Sequence, residues 1–166
     1  MRVLNIDSDE GEIDIAIIEE FEKYIGFCLP HNYKRLISKH NGLYPLEDSY
    51  DFINVYGKKD KGAVFFRNYL QIEEEGKFDG DAMDKSLHIG DPEYYGIPGL
   101  VDFGGYGNGD YICFDYRDNL KTCNPKVVHV YHDDYTKNED GTLSMTVNFV
   151  ANSFEEFIDM LYEDDE

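Results

Sequence analysis

The residues best suited to chemistry gather late in the chain. His129, His132, Asp133 and Asp134 bring imidazole and carboxylate into a short span, and Asp115 stands on a neighbouring predicted strand. These are the ingredients of a divalent-metal site, and hence of a metal-dependent hydrolase. Against that reading, residues three apart on a strand point to opposite faces, so His129 and His132 are expected to diverge. The run Gly104-Gly105-Tyr106-Gly107-Asn108-Gly109-Asp110 carries the glycines of an anion cradle. It leads into a predicted strand rather than a helix N-terminus and lacks a Gly-Lys-Ser/Thr ending, and Asp102 and Asp110 would repel phosphate, so it reads as a flexible turn.

Two further chemistries fail on spacing. Setting Gly141 at the sixth position of a calcium loop puts Thr136 first and Val147 twelfth, where a bidentate Glu belongs. For nucleophilic catalysis the candidates are Cys113 and Ser153, but Cys113 alternates within a strand and Ser153 is needed as a helix cap. No catalytic residue, cofactor or metal is therefore expected. What remains is an acidic and tyrosyl surface, with Tyr94, Tyr106, Asp110, Asp133 and Tyr135 in or beside predicted loops. Tyrosines offer contact area at low entropic cost, and carboxylates bind Arg and Lys through charge-assisted hydrogen bonds.

The elements that must position these residues follow from periodicity. Ile13, Ile17, Phe21, Tyr24 and Ile25 recur at helical spacing, which predicts a helix from about Glu10 to Ile25, with Asp9 and Glu12 as capping box and Gly26 as stop. Pro30 opens a second helix whose stripe is Tyr33, Leu36, Ile37 and His40, ended by Asn41-Gly42. Strands are predicted at Tyr50 to Tyr56, Ala63 to Tyr69, Gly99 to Phe103, Asp110 to Tyr116 and Lys126 to His132. In the run Thr142 to Val150, Leu143, Met145, Val147 and Phe149 alternate with polar residues, so one face is expected to be buried. Ser153-Phe154-Glu155-Glu156 caps a closing helix with a stripe of Phe154, Phe157, Ile158 and Leu161. From Gln71 to Tyr95 the chain turns polar and is expected to form a long loop with one helical turn. The order predicts one α+β domain over residues 1–166, with its core from about residue 10 to 162. Two N-terminal helices and one C-terminal helix pack on a mostly antiparallel sheet.

Charge narrows the partners. Fifteen basic and 35 acidic residues give a net of −20, shared as −7 over residues 1–83 and −13 over residues 84–166. Such a field repels nucleic acid and anionic membranes and attracts basic proteins. No stretch approaches the length of a membrane span or a signal peptide, and the three cysteines, Cys28, Cys113 and Cys123, form no paired motif. Cys28 and Cys113 read as small buried hydrophobes, and the expected location is the cytoplasm, a reducing compartment.

Three stretches in order resemble the SUKH superfamily of bacterial toxin-immunity proteins and fungal regulators of cell-wall synthesis. They are Ile18-Glu19-Glu20-Phe21 through Gly26-Phe27-Cys28-Leu29-Pro30-His31-Asn32-Tyr33 to Asn41-Gly42, then Phe103-Gly104-Gly105-Tyr106-Gly107-Asn108-Gly109-Asp110-Tyr111-Ile112-Cys113-Phe114-Asp115, and Val127-Val128-His129-Val130-Tyr131-His132-Asp133 with the closing helix. The resemblance implies a non-enzymatic bacterial immunity protein that neutralises a cognate toxin; the alternative it implies is a regulator or scaffold linked to cell-wall synthesis. The charge adds that the toxin is basic, as a nuclease-type domain must be. The expected contact set is Asp102, Tyr106, Asp110, Asp115, Tyr131, His132, Asp133 and Asp134. Oligomeric state has no signal in the sequence.

Overall fold

The first helix starts later than its periodicity suggests. In the structure, a computed structural model that describes residues 1–69 and 89–165 in full and 71–72 and 77–78 as backbone, α1 spans Ile15–Ile25. Asp14 caps it, accepting the Ala16 N–H at 3.0 Å. The residues expected to form its first turn are committed elsewhere, because Glu10 N–H, Gly11 C=O and Ile13 N–H bond to Asn41 and Ser38 at the end of the next helix. Asp9 is not a cap of α1 either; it accepts the Gly11 N–H at 2.9 Å and contacts His40 Nδ1 at 2.7 Å. Gly26 ends α1 as expected, and α2 (His31–Lys39) follows Pro30.

Short strands β1 (Ile6–Ser8) and β2 (Tyr44–Pro45) pair with each other, and β3 (Ser49–Ile53) forms a hairpin with β4 (Lys59–Ala63). The sequence Lys-Asp-Lys-Gly-Ala of β4 has no apolar alternation, which is why periodicity misses it. Next come β5 (Phe65–Phe66), which is all of the predicted strand from Ala63 to Tyr69 that forms beyond β4, and the paired β6 (Gln71–Ile72) and β7 (Lys77–Phe78). The long loop expected from Gln71 to Tyr95 falls mainly on residues 73–76 and 79–88, outside the described residues; its described end carries a 3-10 turn at Pro92–Tyr94. Then β8 (Leu100–Gly105), β9 (Tyr111–Asp115), β10 (Lys126–Lys137) and β11 (Leu143–Ala151) lead to α3 (Phe154–Met160). The order β11-β10-β9-β8-β5 makes one sheet, antiparallel throughout, so the architecture is α+β.

The helices cover one face of this sheet. Phe103, Phe114 and Val127 meet Phe21, Tyr33, Phe154 and Phe157, all fully buried. Phe103 stacks on Phe114 at 4.1 Å between centroids, and Tyr33 meets Phe103, Phe114 and Phe154 edge-on at 5.7, 5.1 and 5.5 Å. These are the offset and T-shaped geometries that aromatic quadrupoles favour. A smaller core of Leu100, Cys113, Val128, Val130 and Met145 lies on the other face, closed by Ile89 and Ile97.

Two expectations need correcting. In β11 the polar face is the better buried one: Ser144, Thr146 and Asn148 are buried, while the apolar ends Leu143 and Phe149 are 44% and 50% exposed. The polar side chains tolerate this because each is bonded, Asn148 accepting Val55 N–H from the β3–β4 hairpin at 3.0 Å and Thr146 meeting the Thr136 hydroxyl at 3.0 Å. Secondly, Cys28 is no free thiol. It forms a disulfide with Cys123, 95 residues away, because the α1–α2 corner packs against the β9–β10 loop, where Phe27 stacks on Tyr116 at 4.6 Å. Cys113 is the buried free thiol that the sequence predicts.

Candidate functional site

The Gly-rich turn joins β8 to β9 and delivers Asp110 to the end of the sheet. Asn108 Oδ1 accepts the Asp110 N–H at 2.9 Å and Gly109 N–H donates to Tyr106 C=O at 3.0 Å, closing the turn. Gly109 has φ +100° and lies under the His132 ring, where a Cβ would come within 3.3 Å of the imidazole. Only glycine fits such a backbone at such a distance.

A register jump in β10 brings the histidines to this carboxylate. Between the pairs Val130–Val147 and Tyr135–Met145, β10 advances five residues while β11 advances two, so Tyr131 to Asp134 bulge out of the ladder. The opposite-face expectation for His129 and His132 assumed an unbroken strand, and the bulge removes it. His132 Nδ1 lies 2.6 Å from Asp110 Oδ1, its N–H donates to the same oxygen at 3.1 Å, and His129 Nε2 lies 2.7 Å from Oδ2. An ionised carboxylate only accepts, so both ring nitrogens facing it are the protonated ones. In the neutral His129 ring Nδ1 then accepts the Tyr50 hydroxyl at 2.6 Å.

This chain of Tyr50, His129, Asp110 and His132 is electrostatically self-contained. Burial disfavours the Asp110 anion, yet hydrogen bonds from His129, His132 and the His132 backbone outweigh it and hold its carboxyl well below the ordinary carboxylate range. Burial pushes the Tyr50 hydroxyl well above its usual value, so it stays a donor. Phe52 stacks on His129 at 4.6 Å and closes it from solvent. Both His129 ring nitrogens and both Asp110 oxygens are thus engaged in hydrogen bonds. Among the described residues, Asp110, His132 and Asp133 could each turn an atom to a common cation, those atoms lying within 4.8 Å of one another. Of these groups, Asp110 Oδ1 and His132 Nδ1 also bond each other.

The bulge is tied to the β3–β4 hairpin by tyrosines. Tyr131 donates to Asp60 at 2.5 Å and accepts from Asn54 at 3.2 Å; burial and then the Asp60 bond raise its hydroxyl to about 12. Tyr56 donates to Asp134 at 2.5 Å, which lowers the Asp134 carboxyl and raises the tyrosine. Asp133 is exposed, and His132 and Asp134 are partly so. Tyr106 is half-buried, with its ring 6.5 Å from that of His129.

Six of the eight expected contact residues thus meet at one end of the sheet: Tyr106, Asp110, Tyr131, His132, Asp133 and Asp134. The other two lie apart. Asp102 is buried in an ion pair with Arg67, whose guanidinium lies 4.9 Å over the Phe21 ring. Asp115 is at the far end of β9, gripped by Arg117 Nε and Nη2 at 2.9 and 2.8 Å. Sequence reasoning missed Tyr50, Asn54, Tyr56 and Asp60. The only signal available was the turn chemistry of Asn54 to Gly57 between two strands, which puts a hairpin tip at a sheet end.

The structure is an antiparallel sheet with one helix-covered face, a buried polar chain and an acidic rim at one end. The SMI1 / KNR4 family (SUKH-1) model matches residues 12–160, and the chain belongs to that family. The family includes toxin-immunity proteins and SMI1/KNR4 regulators. No curated protein matches the chain. No helix among the described residues is long and apolar enough to cross a membrane.

Proposed function

We propose that the protein is a non-enzymatic immunity protein, acting in the cytoplasm of a bacterial cell, that binds and neutralises a cognate toxin with a basic, nuclease-type domain. The observation that carries this reading is the end of the sheet where Asp60, Asp133 and Asp134 lie among Tyr56, Tyr131 and His132 on a frame fixed by side-chain hydrogen bonds. Preorganised carboxylates and tyrosines bind Arg and Lys at a reduced ordering cost, and a nucleic-acid-cleaving cleft must be cationic. The net charge of −20 steers such a partner in from a distance. Family membership supports the same reading, since immunity proteins are among its members.

Asp110, buried, acts here by orienting His132 rather than by touching the partner. The Cys28–Cys123 bond sits in the loop at the other end of β9, so the rim does not depend on its redox state. The test is association with an active-site-inactivated form of the toxin encoded beside the gene, at low and at high salt. The expected result is tight binding that weakens by about tenfold or more as salt rises. Salt-independent affinity would remove the electrostatic argument, and no binding would remove the reading.

A further inference from the structure

The exposed apolar residues of this protein are mostly scattered, which is ordinary for a surface. Among the described residues, the β3–β4 hairpin tip gathers three of the most exposed ones. Ile53, Val55 and Tyr56 fall within four consecutive positions and are 61%, 57% and 59% exposed. Their display is rigid. Asn54 Oδ1 accepts the N–H groups of Tyr56 and Lys58, both at 3.0 Å, Gly57 N–H returns to Asn54 C=O at 2.9 Å, and Val55 N–H is fixed by Asn148. The Tyr56 hydroxyl is held by Asp134 and Asn54 reaches Tyr131, so the knob and the acidic bulge move as one body.

We infer that this tip is the apolar anchor of the partner interface, filling an apolar socket on a basic protein surface whose cations meet Asp60, Asp133 and Asp134. The inference rests on the immunity reading and deepens it. Hot spots are rigid side chains that desolvate fully at the centre of an interface, ringed by polar contacts that exclude water. Ile53, Val55 and the Tyr56 ring have that form, and the carboxylates around them form the ring. Lys59, on the same hairpin, turns its ammonium to Asp51 at 3.3 Å, and exposed Lys58 at the tip stands against Asp60, Asp133 and Asp134, so the border is net acidic. A strongly acidic or wholly apolar partner would not match this border.

The double substitution Ile53→Thr/Val55→Thr keeps β-branched shape while making both side chains polar. Measured against the inactivated toxin encoded beside the gene, it is expected to weaken binding about 30-fold with an unchanged melting temperature. Leu120→Ser, an equally exposed residue on the β9–β10 loop, is expected to change nothing. Wild-type affinity in the double variant, or an equal loss in Leu120→Ser, would overturn the anchor while leaving the immunity reading intact. Failure of the wild type to bind would overturn both. Hydrogen exchange on the wild-type complex gives a readout that needs no variant: the amides of Ile53 to Lys58 should become protected, and their unchanged exchange would also sink the anchor.

Discussion

The two ends of the molecule's stability are built from opposite materials. On the helix-covered face of the sheet, aromatic rings such as Phe103, Phe114 and Tyr33 pack without solvent, and their contacts are interchangeable in kind. At the Asp110 end, Tyr50, His129 and Asp110 are as deeply buried but each contact is a specific donor meeting a specific acceptor. Apolar burial supplies most of the driving force, whereas a satisfied polar network fixes geometry and is costly only when broken. The protein thus separates holding the fold from aiming the rim.

The strongest way to break the first region is Phe103→Ala. Removing a fully buried ring in contact with Phe114, Tyr33, Phe154 and Phe157 should cost about 4 kcal/mol, read as a drop in the urea midpoint with little change in slope. Next in size is the Cys28–Cys123 bond, which bridges 95 residues and joins the helical layer to the β9–β10 loop. Reduction, or Cys123→Ser, should lower stability by about 3 kcal/mol, and a reductant should then have no further effect on the serine variant. Equal stability with and without reductant in the wild type would show that the bond does not form in solution.

Asp110→Asn tests the second region and should cost about 2 kcal/mol at neutral pH, since an amide cannot accept from both imidazoles and the His132 N–H as a carboxylate does. The pH dependence has a definite sign. Asp110 is more acidic folded than unfolded, so its contribution is fully present above the ordinary carboxylate value of about 3.9 and is lost as pH falls through its lower folded value. The gap between wild type and Asp110→Asn should therefore close in strong acid. A gap constant with pH would mean that the carboxylate charge contributes nothing.

How much of this was legible beforehand differs between the same two regions. The helical stripes and the stops at Gly26 and Asn41-Gly42 could be read because apolar burial repeats with the period of the element. The start of α1 could not, since residues 10–13 spend their backbone groups on Asn41 and Ser38, a tertiary fact. His129, His132 and Asp110 could be named as reactive types, but their meeting depends on a bulge between Val130 and Tyr135 that no local pattern announces. Asp102 and Asp115 looked equivalent to Asp110 in sequence; a buried pairing with Arg67 removes the first from the rim, and a place at the far end of β9 against Arg117 removes the second.

The smallest test addresses the layer between the two regions, the polar face of β11. Thr146 is almost fully buried and its hydroxyl meets that of Thr136 at 3.0 Å, within the strand pair that carries the bulge. Thr146→Val keeps the shape and removes the hydroxyl, leaving an exposed Thr136 that can turn to water, so the expected loss is about 1 kcal/mol. If polar contacts chiefly aim the rim, toxin affinity should fall more than this stability change alone predicts, because the bulge loses a tether near Asp134. A variant that loses stability but binds as the wild type would place Thr146 with the aromatic core, as a packing residue that happens to be polar.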